Sequence, residues 1–250
     1  MSPLPPWLSA GAGRAHGIGR LLDYTLLKPD ARRDDLLRLA DEAVRISAWA
    51  VCVNGAWVAT CAERIAGTDV RVVSVVDFPL GAGSAAAKAA EAAEAVADGA
   101  AEIDVVLSPL HARSGNWAAA ADEVGQVVAA THGALVKVII ESAALDAHEI
   151  ERACRAAVAG GAAFVKTSTG FHAAGGATID AVRLMRGAVG SGVGVKASGG
   201  VRGREQALAM IAAGANRLGL SSLAGLEAIV GPGAPPFGEL LGRHAEEVTG

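Results

Sequence analysis

The sequence predicts a single-domain α/β protein, a closed (β/α)8 (TIM) barrel, and three observations carry that reading. Eight short runs rich in Val, Ile and Leu punctuate the chain. Their centres recur roughly every 23 to 34 residues, which leaves room for one helix between successive strands. The runs are apolar almost throughout instead of on alternate positions, as parallel strands covered on both faces are. An open doubly wound sheet would show shorter, more polar edge strands.

The strands are expected at 21–26, 48–53, 70–78, 101–107, 135–141, 163–169, 193–199 and 217–222. Helices are expected at 34–46, 122–131, 146–160, 178–189 and 204–214, each with apolar residues spaced i, i+3, i+4 along one stripe, and at 84–100 from alanine propensity and its end signals. The stretch 84–100 is alanine-rich but not low in complexity in any functional sense: Ser84 is a plausible N-cap and Gly99 suits a left-handed C-terminal stop. The barrel is assigned to 20–224, with an N-terminal extension at 1–19 and a C-terminal helix and tail at 225–250.

Composition limits the function classes. Half of the 250 residues are apolar, enough for a large core. The net charge is −4 and the basic residues are scattered, so no nucleic-acid footprint is present. No apolar run reaches membrane-spanning length, and the first twenty residues carry prolines and glycines where a signal peptide has its apolar region. Cys52, Cys61 and Cys154 form no zinc-type or disulfide-type spacing, and the six histidines have no ligand-like spacing and read as surface or loop residues. A soluble, cytoplasmic protein with no metal and no organic cofactor is expected.

Lysine usage is informative. Only five of the 22 basic residues are lysine (Lys28, Lys88, Lys137, Lys166, Lys196), and the last two, with Lys137, lie inside apolar strand runs. Guanidinium serves most surface purposes equally well, so a buried amine suggests chemistry that only an amine performs. A barrel places its active site at the C-terminal ends of its strands. Polar residues there are Asp23 and Thr25, Asp77, Asp104, Glu141, Lys166 to Thr169, Lys196 with Ser198, and Ser221 with Ser222. Any one such lysine can be a structural ion pair, and Lys137, early in its strand, is the clearest case, with Glu141 or Asp104 as partner. Two lysines on adjacent strands repel at low dielectric and are harder to explain structurally. Burial and a neighbouring cation favour a neutral amine, a nucleophile toward carbonyls. Glycine-rich turns follow the sixth and seventh strands and Ser-Ser ends the eighth, where barrels commonly hold phosphate. These residues point to imine chemistry on a small phosphorylated carbonyl compound, and leave aldol cleavage, transaldol transfer and dehydration open.

The motifs LLDYTLLKPDA, SVVDFPLGAG, AEIDVVL, LVKVIIESAAL, FVKTSTGF, VGVKASGGVR and ANRLGLSS occur in that order between about residues 20 and 224. Together they resemble the deoxyribose-phosphate aldolases, class I aldolases built on the (β/α)8 barrel. The resemblance implies reversible cleavage of 2-deoxy-D-ribose 5-phosphate to D-glyceraldehyde 3-phosphate and acetaldehyde, with the C3–C4 bond expected to break. It implies that Lys166 forms the Schiff base, that Lys196 depresses the pKa of that amine, and that Asp104 relays protons through a water. Asp23 and Thr169 would position substrate, and Gly170, Gly199, Gly200, Ser221 and Ser222 would hold the phosphate. Small phosphorylated sugar and aldehyde substrates are the expected partners, with a homo-oligomer, dimer or tetramer, as the assembly.

The chain departs from the family pattern at Tyr24, where histidine is common, at Gly55, where proline is common, at Asp77, an extra carboxylate near the mouth, and in a tail without a terminal tyrosine. Two other readings remain at this level: an isomerase or epimerase using Asp104 and Glu141 as acid and base, and a catalytically silent phosphosugar-binding barrel.

Overall fold

The computed structural model describes residues 17–231 and 233–249. Eight parallel strands close into a barrel in sequence order: β1 Leu22–Leu26, β2 Ala50–Asn54, β3 Arg71–Val76, β4 Glu102–Val106, β5 Leu135–Ile139, β6 Phe164–Lys166, β7 Gly194–Ser198 and β8 Arg217–Leu220. The eighth strand returns to the first, with Asp23 opposite Gly219. The expected (β/α)8 barrel is therefore the observed fold. Residues 1–16 of the expected N-terminal extension lie outside the described residues. The backbone N–H of Gly17 and of Ile18 donate to Pro235 and Ile229, so the segment entering β1 is pinned to the chain leaving β8.

Nine α-helices lie among the described residues: α1 Arg33–Arg45, α2 Val58–Arg64, α3 Ala85–Ala97, α4 Pro109–Ser114, α5 Trp117–Ala130, α6 Ala147–Ala159, α7 Ile179–Val189, α8 Gly203–Ala212 and α9 Phe237–Thr249. Their ends follow local chemistry. Ser84 accepts the Ala87 N–H at the start of α3, and Asp146 and Glu149 cap α6 reciprocally. Gly99, at φ +108°, takes the left-handed turn after α3. The buried stripe of α1, Leu36, Leu39, Ala40 and Ala43, has the spacing that predicted it. The short helices α2 and α4 were not anticipated, because seven and six residues show too few turns for a period to register. The expected C-terminal helix forms and packs beside α8. His244 in it is 8 % exposed, so the reading of every histidine as a surface or loop residue fails there.

Six strands, β3 to β8, end earlier than their expected runs, and at three of them the local cause is visible. β3 stops before Asp77 and β5 before Glu141, each of which adopts a left-handed backbone, at φ +50° and +54°. Local hydrogen bonds hold both. Asp77 accepts from Gly83 N–H, and Glu141 from the backbone and hydroxyl of Thr169. β6 yields after Lys166 because the Thr167 hydroxyl substitutes for the ladder, accepting from Ser198 N–H and donating to Ser198 C=O, both at 3.0 Å.

Inside the barrel Phe164 faces Gly194 across β6 and β7. A Cβ on Gly194 would lie 2.2 Å from the Phe164 ring, so the aromatic side chain fits only because β7 has glycine there. Gly194→Ala is expected to lower the unfolding free energy by about 1–3 kcal/mol, the usual range for overpacking a filled core. Gly187→Ala, in α7 with open space at its Cβ, should be neutral or raise stability by up to about 1 kcal/mol. Denaturant melts of both variants check this; equal losses would show that the effect is not the ring contact.

Candidate active site

Six strands direct a charged side chain at the barrel axis: Asp23 from β1, Glu102 and Asp104 from β4, Lys137 from β5, Lys166 from β6, Lys196 from β7 and Arg217 from β8. All are at most 3 % exposed. Alternation along each strand explains why. Asp23 and Thr25 share one face of β1 while Tyr24 faces the helices, and Glu102 and Asp104 share a face two residues apart.

Asp104 sits at the centre. Its Oδ1 accepts from Lys137 Nζ at 2.8 Å, and its Oδ2 accepts from both Lys166 Nζ at 2.9 Å and Lys196 Nζ at 2.7 Å. Lys196 also donates to Asp23 Oδ2, and Asp23 Oδ1 accepts from Arg217 Nη1 at 2.9 Å. Lys137 reaches Glu102 Oε2 at 2.5 Å, and Glu102 Oε1 accepts from the Trp49 indole at 2.7 Å. Trp49 lies under the Arg217 guanidinium at 4.3 Å, so the network ends on an aromatic floor.

The fields in this cluster are large. Burial alone would raise the Asp104 carboxyl, but the three ammoniums hold it well below the usual carboxylate range. Burial likewise opposes ionisation of Asp23, yet Lys196, Arg217 and Lys137 hold it down to about 2. For Lys196 the desolvation cost is outweighed by Asp104 and Asp23, so its pKa rises and it remains an ammonium; Lys137 is raised by Asp104, Glu102 and Asp23. Burial pushes the Cys52 thiol up, which makes it an inert core group.

Lys166 is the lysine of this cluster that borders open space. It lines a cavity of about 700 Å³ at the C-terminal mouth. Thr169, Gly170, Gly199, Gly200, Ser221 and Ser222 line the same cavity, so the expected phosphate-side residues and the expected nucleophile share one chamber. Gly170, Gly199 and Gly200 all have φ between +81° and +85°. A Cβ on Gly176 would fall 2.0 Å from the Gly199 carbonyl oxygen, so the loops after β6 and β7 pack backbone against backbone and turn peptide groups toward the chamber. Lys28 and Arg202 also border it; strand-end reasoning missed both because they lie in loops.

Of the other expected strand-end residues, Glu141 does not pair with Lys137. Its left-handed backbone sends the carboxylate to Thr169, while Lys137 takes Asp104 and Glu102. Asp77 stands 3.4 Å from Lys88 Nζ, away from the axial lysines. Lys88 is fully buried on α3, where it donates to Glu123 and to the carbonyls of Gly81 and Val106; a lone lysine in an alanine-rich helix had given no sign of this. Tyr24 donates to Glu42 on α1 at 2.9 Å, so the departure at that position lies outside the chamber. Glu102 and Arg217 were missed because both sit at strand starts. The i, i+2 relation of Glu102 to Asp104 was the available signal. Among the described residues no three histidine, cysteine or carboxylate side chains gather as a metal-ion site, and no helix is long and apolar enough to cross a membrane.

A family model described as DeoC/LacD family aldolase matches residues 21–245. Deoxyribose-phosphate aldolase of Streptococcus mutans serotype c is 48 % identical over 205 residues, 82 % of this chain and 93 % of that one. The enzyme of the same name from Geobacillus sp. is 49 % identical over 208 residues, 83 % and 93 % of the two chains. Among solved structures, deoxyribose phosphate aldolase from Aeropyrum pernix, described as a unique tetrameric structure, superposes with a TM-score of 0.77 at 31 % identity, covering 87 % of this chain and 94 % of that one. With the match spanning nearly the whole barrel, the chain belongs to the DeoC/LacD family of aldolases.

Proposed function

We propose that this protein is a class I aldolase that reversibly cleaves 2-deoxy-D-ribose 5-phosphate to D-glyceraldehyde 3-phosphate and acetaldehyde, in deoxyribose phosphate catabolism. The observation that carries this reading is the placement of Lys166: a buried amine in contact with Asp104, opening onto a chamber whose far wall is a glycine and serine cradle. The names of the relatives from Streptococcus and Geobacillus support the choice of substrate.

In this mechanism the neutral Lys166 amine attacks the C1 aldehyde, and loss of water gives a protonated imine, an electron sink. Acetaldehyde retains C1 and C2, so the bond that breaks is C2–C3 and not C3–C4. The C3 hydroxyl loses its proton and becomes the aldehyde of glyceraldehyde 3-phosphate, while the C2–C3 electron pair forms an enamine on Lys166. Protonation at C2 and hydrolysis then release acetaldehyde and restore the amine. Asp104 relays these protons through a water. Its contact with both lysines suits that role: when Lys166 gives up its charge, one of the three ammoniums holding Asp104 acidic is gone, and its basicity rises. Lys196, held charged between Asp104 and Asp23, disfavours a second charge on Lys166. Asp23 positions Lys196, and Thr169, itself fixed by Glu141, positions substrate.

Backbone N–H groups of Gly170, Gly199 and Gly200, with the hydroxyls of Ser221 and Ser222, hold the phosphate beside the N-terminus of α8. The chain works as a homo-oligomer in the cytoplasm; the tetrameric Aeropyrum relative supports the first and three free buried cysteines are compatible with the second. The isomerase alternative is disfavoured because both Glu141 oxygens accept from Thr169, leaving that carboxylate badly placed as a catalytic base.

Incubation with acetaldehyde and borohydride, followed by peptide mass analysis, is expected to place a stable two-carbon adduct on the peptide containing Lys166 and to lose it in Lys166→Ala. No adduct on the folded parent would remove imine chemistry. For the phosphate cradle, Ser222→Asp sets a like charge against the ligand and should raise KM for the phosphorylated sugar roughly tenfold or more, a cost of at least about 1.4 kcal/mol, with little change for unphosphorylated 2-deoxyribose. Equal effects on both sugars would dissociate Ser222 from phosphate.

A further inference from the structure

The axial cluster is not charge-balanced. Three carboxylates, Asp23, Glu102 and Asp104, meet four basic side chains, Lys137, Lys166, Lys196 and Arg217, all at most 3 % exposed. A buried excess cation is costly, and the least costly remedy is for one amine to release its proton. Arg217 cannot, since a guanidinium stays protonated in proteins. Lys137 and Lys196 each contact two carboxylates at 2.8 Å or less, whereas Lys166 contacts one oxygen that it shares with Lys196, and it alone borders the chamber. Lys166 is therefore the amine of the cluster least held by carboxylates.

This assigns a part to residues at the opposite end of the barrel. Arg217 makes no contact with the chamber; it pairs with Asp23 at 2.9 Å and lies over Trp49 at 4.3 Å and Phe164 at 5.5 Å. Glu102 lies on the same floor, 2.5 Å from Lys137 and 3.6 Å from Arg217. We propose that Arg217 and Glu102 are positioning residues that set the charge of the axial cluster, and through it the pH range in which Lys166 is a free amine able to form the imine. The inference rests on Lys166 being the imine-forming residue.

The groups facing Lys166 from each neighbouring element are few. They are Asp104 and, below it, Glu102 on β4, Lys137 on β5, Lys196 on β7, Asp23 on β1, Arg217 on β8 and the neutral Cys52 thiol on β2, with Lys28 and Arg202 on the chamber loops and Arg20 and Arg71 sharing the Trp49 ring with Arg217. Glu141, at the end of β5, is engaged with Thr169. The axial groups are buried, so salt screens their influence weakly, whereas the exposed Lys28 and Arg202 are screened. Arg217 reaches Lys166 through two series of ion pairs, one by Asp23, Lys196 and Asp104 and a looser one by Glu102, Lys137 and Asp104. Unit charges separated in this way in a buried site couple by on the order of one pH unit.

The sign of the effect is fixed by charge. Removing the guanidinium in Arg217→Met takes away the excess cation, so Lys166 holds its proton to higher pH. The acid limb of kcat/KM should move alkaline by about one pH unit. Glu102→Gln removes a carboxylate while its amide oxygen still accepts from Trp49, so the excess grows and the limb should move acid by a similar amount. Arg217→Lys keeps the charge without the planar stack and should return the limb toward the parent position. The experiment is the pH profile of 2-deoxyribose 5-phosphate cleavage for the parent and these three variants, paired with borohydride trapping of acetaldehyde at each pH. Opposite displacements by Arg217→Met and Glu102→Gln, with trapping following the same limbs, bear the inference out. A folded Glu102→Gln protein whose limb stays in place or moves alkaline overturns it, even if Arg217→Met does not fold. Trapping at Lys166 with limbs that never move sinks only this inference, whereas no trapping in the parent at any pH sinks the imine reading beneath it.

Discussion

A single carboxylate, Asp104, holds three ammoniums from three consecutive strands, and much of the site depends on that contact. An isolated lysine in a barrel interior would lose its proton or distort the fold, because desolvation of an unpaired ammonium costs several kcal/mol. Asp104 makes it possible for Lys137, Lys166 and Lys196 to stand within one cross-section. Its two oxygens divide the work by position. Oδ1 meets Lys137, which also reaches Glu102; Oδ2 meets Lys196, which also reaches Asp23, and Lys166, which borders the chamber.

The rest of the barrel interior supports this arrangement instead of filling space with apolar layers. Asp23 gives Lys196 a second carboxylate, Arg217 gives Asp23 a second cation, and the Trp49 and Phe164 rings cover the guanidinium. Gly194 leaves the volume that the Phe164 ring occupies. Such a network is worth less in net stability than an apolar core of equal volume, because desolvation offsets most of the Coulomb gain. What it supplies is a set of fixed charges that do not reorganise as a proton moves on and off Lys166, the preorganisation that electrostatic catalysis requires.

Around the mouth the backbone does what side chains do along the axis. Left-handed turns at Gly170, Gly199 and Gly200, and at the non-glycine residues Asp77 and Glu141, bend the loops at the strand ends. Glu141 illustrates the economy of the design: a carboxylate at the end of β5 looks like a partner for the axial lysines, yet its own φ points it to Thr169, where it fixes the loop that lines the chamber.

Period and composition determined a good deal alone. Apolar runs at the spacing of βα units identified the eight strands, helix stripes and caps identified most of the outer ring, and amines inside strand runs singled out Lys166 and Lys196 with Asp104 and Asp23. These signals are local: a strand shows its two faces every second residue and a helix its stripe every third or fourth, so a short window suffices. The tertiary structure decided what depends on closure. That Lys137 pairs with Glu102 and Asp104 and not with Glu141, that Arg217 answers Asp23 across 194 positions of sequence, and that Lys88 is buried among loop carbonyls all follow from which strands become neighbours and how each loop turns. Short helices such as α2 have too few turns to register a period, and the ends of β3 and β5 were settled by the left-handed Asp77 and Glu141 with their hydrogen bonds to Gly83 and Thr169. Charge balance in the barrel is a property of eight strands meeting at one axis, and no window of the sequence contains it.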